Sequence, residues 1–138
     1  MGIGSISGVT VVGPGHRVIT AYGELDLVAA AGLRFDLLGW SVRADGAAVD
    51  PRGAGEWRLV VDLLQVTFMD CSPLGVLCAA RARAERGGGW LRLVYTQDSI
   101  TRLLKATGLQ RRFPRHATVA DALADRPAGP AVRGFALQ

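Results

Sequence analysis

Apolar and polar positions along the chain switch between two periods, and the switches mark its elements. Val9 to Val12 is a short β-branched run, and a second apolar run follows from Arg17 to Tyr22 after Gly13-Pro14-Gly15. The two predict a β-hairpin about the Gly-Pro-Gly turn. From Leu25 the period lengthens: Leu25, Val28, Ala29, Gly32, Leu33 and Phe35 to Leu38 form a stripe at helical spacing that should end near Trp40. Asp26 lies where a first-turn cap is needed. Trp57 to Leu63 is apolar at nearly every position after Arg58, the pattern of a strand covered on both faces. A helix is predicted from Pro73 to about Arg86, stopped by Gly87-Gly88-Gly89, which tolerate the left-handed conformation of a helix C-cap. Trp90 to Tyr95 reads as the next strand. Ser99 is expected to cap a helix with Ile100, Leu103, Leu104 and Thr107 at i, i+3, i+4 and i+7, and Gly108 to end it. Leu109 and Phe113 read as core contacts from a short extended segment before Pro114. Thr118-Val119-Ala120-Asp121 has the form of a capping box opening a last helix, with Val119, Ala122 and Leu123 as its buried face.

This order of strands and helices gives an α/β (α+β) fold, a mixed central sheet of four to five strands packed with about four helices. A length of 138 residues fits one domain, assigned to residues 9–126. Residues 1–8 form a small-residue leader expected to fray, and residues 127–138 a loose Pro-, Gly- and Ala-rich tail. Between Ser41 and Glu56 the composition turns to Gly, Ala, Asp and Pro, which predicts a long loop with a mobile tip.

Composition narrows the function classes. Hydrophobic residues are 49% and charged residues 20%, ordinary for a globular protein. No apolar run approaches the roughly 18 residues that span a bilayer. The first residues lack a basic segment followed by an apolar one, so no secretory signal is expected and the location is read as cytoplasmic. The formal charge of +4 comes mainly from Arg, spread from Arg81 to Arg115 with no interleaved aromatic platform for stacking bases. A solvated face is the better reading, without nucleic acid as partner. Cys71 and Cys78 would be parted by about 10 Å of helical rise, beyond the reach of a disulfide. Cys78 reads as a small core residue. His16 and His116 stand alone and no Cys-x-x-Cys pair occurs, so neither a metal nor a cofactor is expected. Asp26, Asp62 and Asp70 near strand ends invite comparison with a receiver domain, but the acidic pair after the first strand and the Lys after the last are missing. They read as carboxylates that accept backbone N–H bonds.

The stretch that organises the chain is Val66 to Arg83, a strand end, a polar turn and a helix. Pro73 suits the first helical position and pushes the residue before it toward a cap conformation, so Ser72 is the expected N-cap. Asp70 and Cys71 then sit at a helix N-terminus, where N–H groups converge and an anion is favoured. The run Phe68-Met69-Asp70-Cys71-Ser72-Pro73-Leu74-Gly75-Val76-Leu77 resembles the signature of STAS domains, in particular bacterial anti-sigma factor antagonists. Their usual form is Phe-hydrophobic-Asp-Ser-Ser/Thr-Gly-Leu-Gly-hydrophobic-Leu. Three further matches occur in order: Gly23-Glu24-Leu25-Asp26 resembles the turn that opens the family's first helix. Gly87 to Val94 resembles its helix-to-strand turn, and Leu103 to Leu109 the end of its third helix.

The resemblance implies a STAS fold and a binding module rather than an enzyme. Its partner would be an anti-sigma factor, a serine kinase with a histidine-kinase-like ATPase fold, and binding it would free a sigma factor for transcription. It implies a docking surface made of Asp26, Met69, Asp70, Cys71, Ser72, Pro73, Leu74 and Gly75, and it is compatible with a homodimer. In the phosphorylated members the residue after the Asp is the phosphoacceptor serine; here it is Cys71, with Ser72 as the remaining hydroxyl and Pro73 in place of the motif's Gly. Two alternatives stay open. One is a STAS adaptor subunit of a larger signalling or lipid-transport assembly. The other is a thiol-based redox switch at Cys71, whose thiol would lie at a helix N-terminus.

Overall fold

The computed structural model describes residues 7–13, 16–26, 29–32, 41–42, 48–49 and 58–128. Strand β1 (Ser7–Gly13) runs antiparallel to β2 (His16–Leu25), with Gly13 facing His16, so the hairpin forms where the two β-branched runs placed it. A helical stretch, α1, covers 29–32. Then come β3 (Ser41–Val42), β4 (Ala48–Val49), β5 (Arg58–Met69) and helix α2 (Ser72–Arg86). Strand β6 (Trp90–Val94), helix α3 (Asp98–Ala106), β7 (Arg115–His116) and helix α4 (Val119–Leu123) complete the order. The main sheet has the order β1-β2-β5-β6-β7, antiparallel at β1–β2 and parallel at every other pairing. This is the mixed sheet with helices that the sequence pattern implies.

Strand β5 is central because its side chains have apolar cover on both sides. Leu59, Val61 and Leu63 enter the larger core with Ile19, Ala21, Leu91, Leu93 and Tyr95, under Leu74, Leu77, Ala80, Ile100 and Leu104 of the helices. Val60, on the alternate face, packs with Val18, Val94 and Ala122. Each fully buried Leu or Ile contributes roughly 1.5–3 kcal/mol of transfer free energy, so the α2 and α3 side carries most of the driving force.

Helices α2, α3 and α4 end alike. Gly88 donates to Glu85 O at 3.0 Å and Gly89 to Ala84 O at 2.8 Å; Gly108 donates to Lys105 O at 3.1 Å and Leu109 to Leu104 O at 2.8 Å. Asp125 and Arg126 repeat the pair on Ala122 O at 3.2 Å and Asp121 O at 2.8 Å. The pattern needs a left-handed residue, supplied at φ 82° by Gly88, 76° by Gly108 and 57° by Asp125.

Several boundaries differ from the sequence reading. Ser7 and Gly8, assigned to the leader, belong to β1, and Gly23 to Leu25, read as a turn, continue β2. Gly23 does so at φ 73°, which its missing side chain permits. Strand β5 does not stop at Leu63 but reaches Met69, because β2 pairs with it all the way to Leu25. In the stretch read as a loop, Ser41–Val42 pairs antiparallel with Ala48–Val49. Pro114 precedes β7 rather than following it, and Phe113 is fully buried from a turn in which its N–H reaches Leu109 O. Thr118 caps α4 as its box form implied, donor Asp121 N–H at 3.0 Å, but Leu123 stays exposed and Ala122 carries the burial. The end of the first helix near Trp40, the tip of the 41–56 stretch, and most of the leader and tail lie outside the described residues. No helix among the described residues is long and apolar enough to cross a membrane.

Candidate functional site

The turn between β5 and α2 is held from β2. Leu25 pairs with Met69, and the Asp70 N–H donates to Leu25 O at 3.2 Å, so the chain leaves the sheet at a defined point. Asp70 Oδ1 then accepts the Ser72 N–H at 2.8 Å. That bond replaces the expected cap. Helix α2 starts at Ser72 with Cys71 in the N-cap position at φ −75° and ψ −13°, and no side chain at that position bonds the helix. Pro73 is therefore the second helical residue, where its missing N–H still leaves no bond unmade. Leu74 N–H closes the first turn on Cys71 O at 3.0 Å.

The eight residues read as a docking surface divide into two groups. Met69, Pro73 and Leu74 are buried and shape the turn from beneath. Cys71 and Gly75 are exposed, and Asp26, Asp70 and Ser72 are half-buried. Asp26 sits at the start of α1, its Oδ1 accepting the Ala29 N–H at 3.0 Å. A Cβ placed on Gly75 would meet nothing within 4 Å, so that position opens fully outward. Behind it along α2, Ala79, Ala82, Arg83 and Arg86 are exposed too. Cys71 and Cys78 are both free thiols; Cys78 is half-buried against the core.

Two features escaped the sequence reading. Phe68, quoted above only as part of a motif, is 52% exposed beside the turn, and Tyr22 on the neighbouring strand is 37% exposed. Large apolar side chains left in water near a turn are a usual component of protein-binding surfaces. Counting by twos from Leu59, Val61 and Leu63 reaches Met69 and leaves Phe68 on the opposite face, that of Val60 and Leu64. The two one-residue slips in the β2–β5 register, between Thr20 and Tyr22 and between Gly23 and Glu24, cancel at this end of the strand and turn only Val66 into the larger core. The second feature is Gln97, at the N-cap of α3 in place of the expected Ser99. Its Nε2 donates to Leu63 O and Val66 O, both at 2.7 Å. No local pattern in the sequence announces a contact across more than thirty residues.

Chemically the site presents one thiol, one hydroxyl and one carboxylate already bonded within the turn. Among the described residues no three His, Cys, Asp or Glu side chains converge to hold a metal ion.

Comparison with known proteins agrees with this fold. The sequence model of the STAS domain family matches residues 9–122. An anti-sigma factor antagonist from Mycobacterium paratuberculosis superposes with a TM-score of 0.65 at 27% identity, over 85% of this chain and 90% of its own. The anti-sigma factor antagonist SpoIIAA in its unphosphorylated form gives 0.64 at 19% identity, over 85% and 93%. The phosphorylated form of SpoIIAA, a Bacillus cell fate determinant, gives 0.57 at 21% identity, over 83% and 94%. No curated protein matches the chain by sequence.

Proposed function

The chain belongs to the STAS domain family, and from that premise we propose that it acts as an anti-sigma factor antagonist whose phosphoacceptor position is occupied by Cys71. The observation that carries the reading is the outward-facing pair Cys71 and Gly75, on a turn that Asp70 and Leu25 hold in place. The partner is an anti-sigma factor of the serine-kinase type with a histidine-kinase-like ATPase fold. It docks on the turn and the outer face of α2, and in doing so it releases its sigma factor. In an antagonist with serine at this position, a phosphate adds about two negative charges to the surface and repels the partner. A thiol does not serve a serine-directed kinase, so docking here is constitutive or controlled in another way. Ser72 is a poor substitute as acceptor: it is half-buried and its N–H is bonded to Asp70.

Affinity capture with the tagged chain from its native cell, followed by mass spectrometry, identifies the partner. A kinase-fold anti-sigma factor is expected. Gly75→Arg, whose Cβ would enter open space on an exposed helical position, should fold normally and abolish capture. With the captured kinase and ATP, the natural chain should keep its intact mass and Cys71→Ser should gain one phosphate. Phosphate on Ser72 of the natural chain, or capture undiminished by Gly75→Arg, overturns the reading. Recovery of membrane transporter subunits in place of a kinase would point to an adaptor role instead.

A further inference from the structure

Strand β5 outruns its neighbour. The ladder between β5 and β6 ends at Asp62 and Val94, while β5 continues to Met69. Beyond Asp62 the β6 side of β5 has no ladder bonds, and the register with β2 slips twice on the other side. A strand end that has lost one ladder and is irregular in the other needs a further anchor, because its carbonyls are polar groups that must find donors. Two of them find the same one. The Gln97 carboxamide reaches across from the loop after β6, its Nε2 donating to Leu63 O and Val66 O at 2.7 Å each, and its Oε1 accepts the Thr96 N–H at 3.0 Å. The orientation is forced. Carbonyls only accept and an N–H only donates, so the amide has one way round that makes all three bonds. From the β5 interior, the Asp62 carboxylate adds a bond from the Leu64 N–H at 3.0 Å. The backbone of Gln97 meanwhile seats α3, its carbonyl accepting the Thr101 N–H at 3.2 Å.

We propose that Gln97 is the positioning residue of the docking turn: it holds the irregular end of β5 so that Asp70, Cys71 and Gly75 are presented in one geometry, and it joins the start of α3 to that surface. The consequence for docking rests on the function proposed above. The positioning itself does not, and it is tested on the turn alone. Two amides report it, the Asp70 N–H bonded to Leu25 O and the Ser72 N–H bonded to Asp70 Oδ1.

The test is residue-resolved hydrogen exchange on the full chain carrying Gln97→Met, Gln97→Glu or Gln97→Lys, with Ala84→Gly as a control that destabilises α2 at its far end. Met matches the size of Gln without donors, and Glu sets an acceptor against two carbonyls. Both should accelerate exchange at Asp70 and Ser72 at least about tenfold beyond the control after scaling to equal loss of Tm, the scale of two lost hydrogen bonds. Lys restores N–H donors on a stem one atom longer and should recover part of the protection. A merely structural role would accelerate these amides no more than the control does. That result, or wild-type exchange in Gln97→Met, overturns the proposal. If the exchange result holds while Gly75→Arg leaves capture intact, the docking function fails and the positioning role stands.

Discussion

At the scale of single residues, three aspartates do the same local work. Asp26, Asp62 and Asp70 each accept a backbone N–H two or three residues ahead, at 3.0, 3.0 and 2.8 Å. Their role was legible from residue type and position, since a short carboxylate reaches its own backbone more readily than a partner. The cap of α2 was not. Ser72 looked right beside Pro73, but pinning Asp70 to Leu25 O places the Asp70 carboxylate over the Ser72 N–H first, and the helix begins one residue early. Buried Tyr95 offers a residue-scale prediction. Its hydroxyl donates to Phe113 O at 2.9 Å, and burial raises its pKa while the Arg115 charge pulls the other way by less. The folded chain therefore keeps this proton at pH values where the unfolded chain loses it. The contribution is complete below the ordinary tyrosine value of about 10 and fades as pH rises through the higher folded value. Denaturant titrations should show stability falling above about pH 10, more steeply than in Tyr95→Phe. That variant should itself lose about 1 kcal/mol at neutral pH for the unpaired carbonyl.

At the scale of elements, glycines separate by conformation rather than by place in the sequence. Gly88 and Gly108 end helices at φ 82° and 76°, whereas Gly75 lies within α2 with open space where a Cβ would go. Gly88→Ala and Gly108→Ala should each cost about 1 kcal/mol, the strain of a side chain in the left-handed region. Gly75→Ala should instead stabilise by roughly 0.5–1 kcal/mol through helix propensity. Thermal unfolding of the three variants reads the opposite signs directly; equal signs would contradict the assigned backbone. The ends of α2 and α3 were legible because glycine marks them, whereas α4 ends on Asp125, which no local signal announces. The length of β5 was not, because its last residues are held by β2 and Gln97 and not by its own pattern.

For the whole molecule, the two faces of the sheet are unequally covered. The larger core lies under α1, α2 and α3, while the opposite face is closed near β6 and β7 by α4, a five-residue helix too short to persist alone. Arg92 ties it down. Its guanidinium lies 3.7 Å from the Trp90 ring centroid, donates to Ala122 O at 2.8 Å and meets Asp125 at 3.7 Å. Beside it, buried His116 has Nδ1 3.1 Å from Leu93 O and Nε2 3.9 Å from Asp125. Arg92→Ala should loosen α4 and β7 while leaving α2 and its turn protected, which hydrogen exchange across residues 115–126 and 70–86 would separate. Uniform loss of protection would mean that the face closed by α4 is integral to the main core.

The amino-acid sequence by itself determined the succession of the main strands and helices, the burial of Ile100 and Leu104 on α3 and the stretch from Phe68 to Gly75 as the place to look, because apolar period, Gly and Pro stops and short polar caps act over a few residues. Only the tertiary structure decided that Cys71 takes the cap position, that Phe68 faces water, and that Gln97 braces the turn. Those outcomes depend on how β2 and β6 pair with β5. A register slip or a hydrogen bond across thirty residues arises between segments, and no single segment carries the record of it.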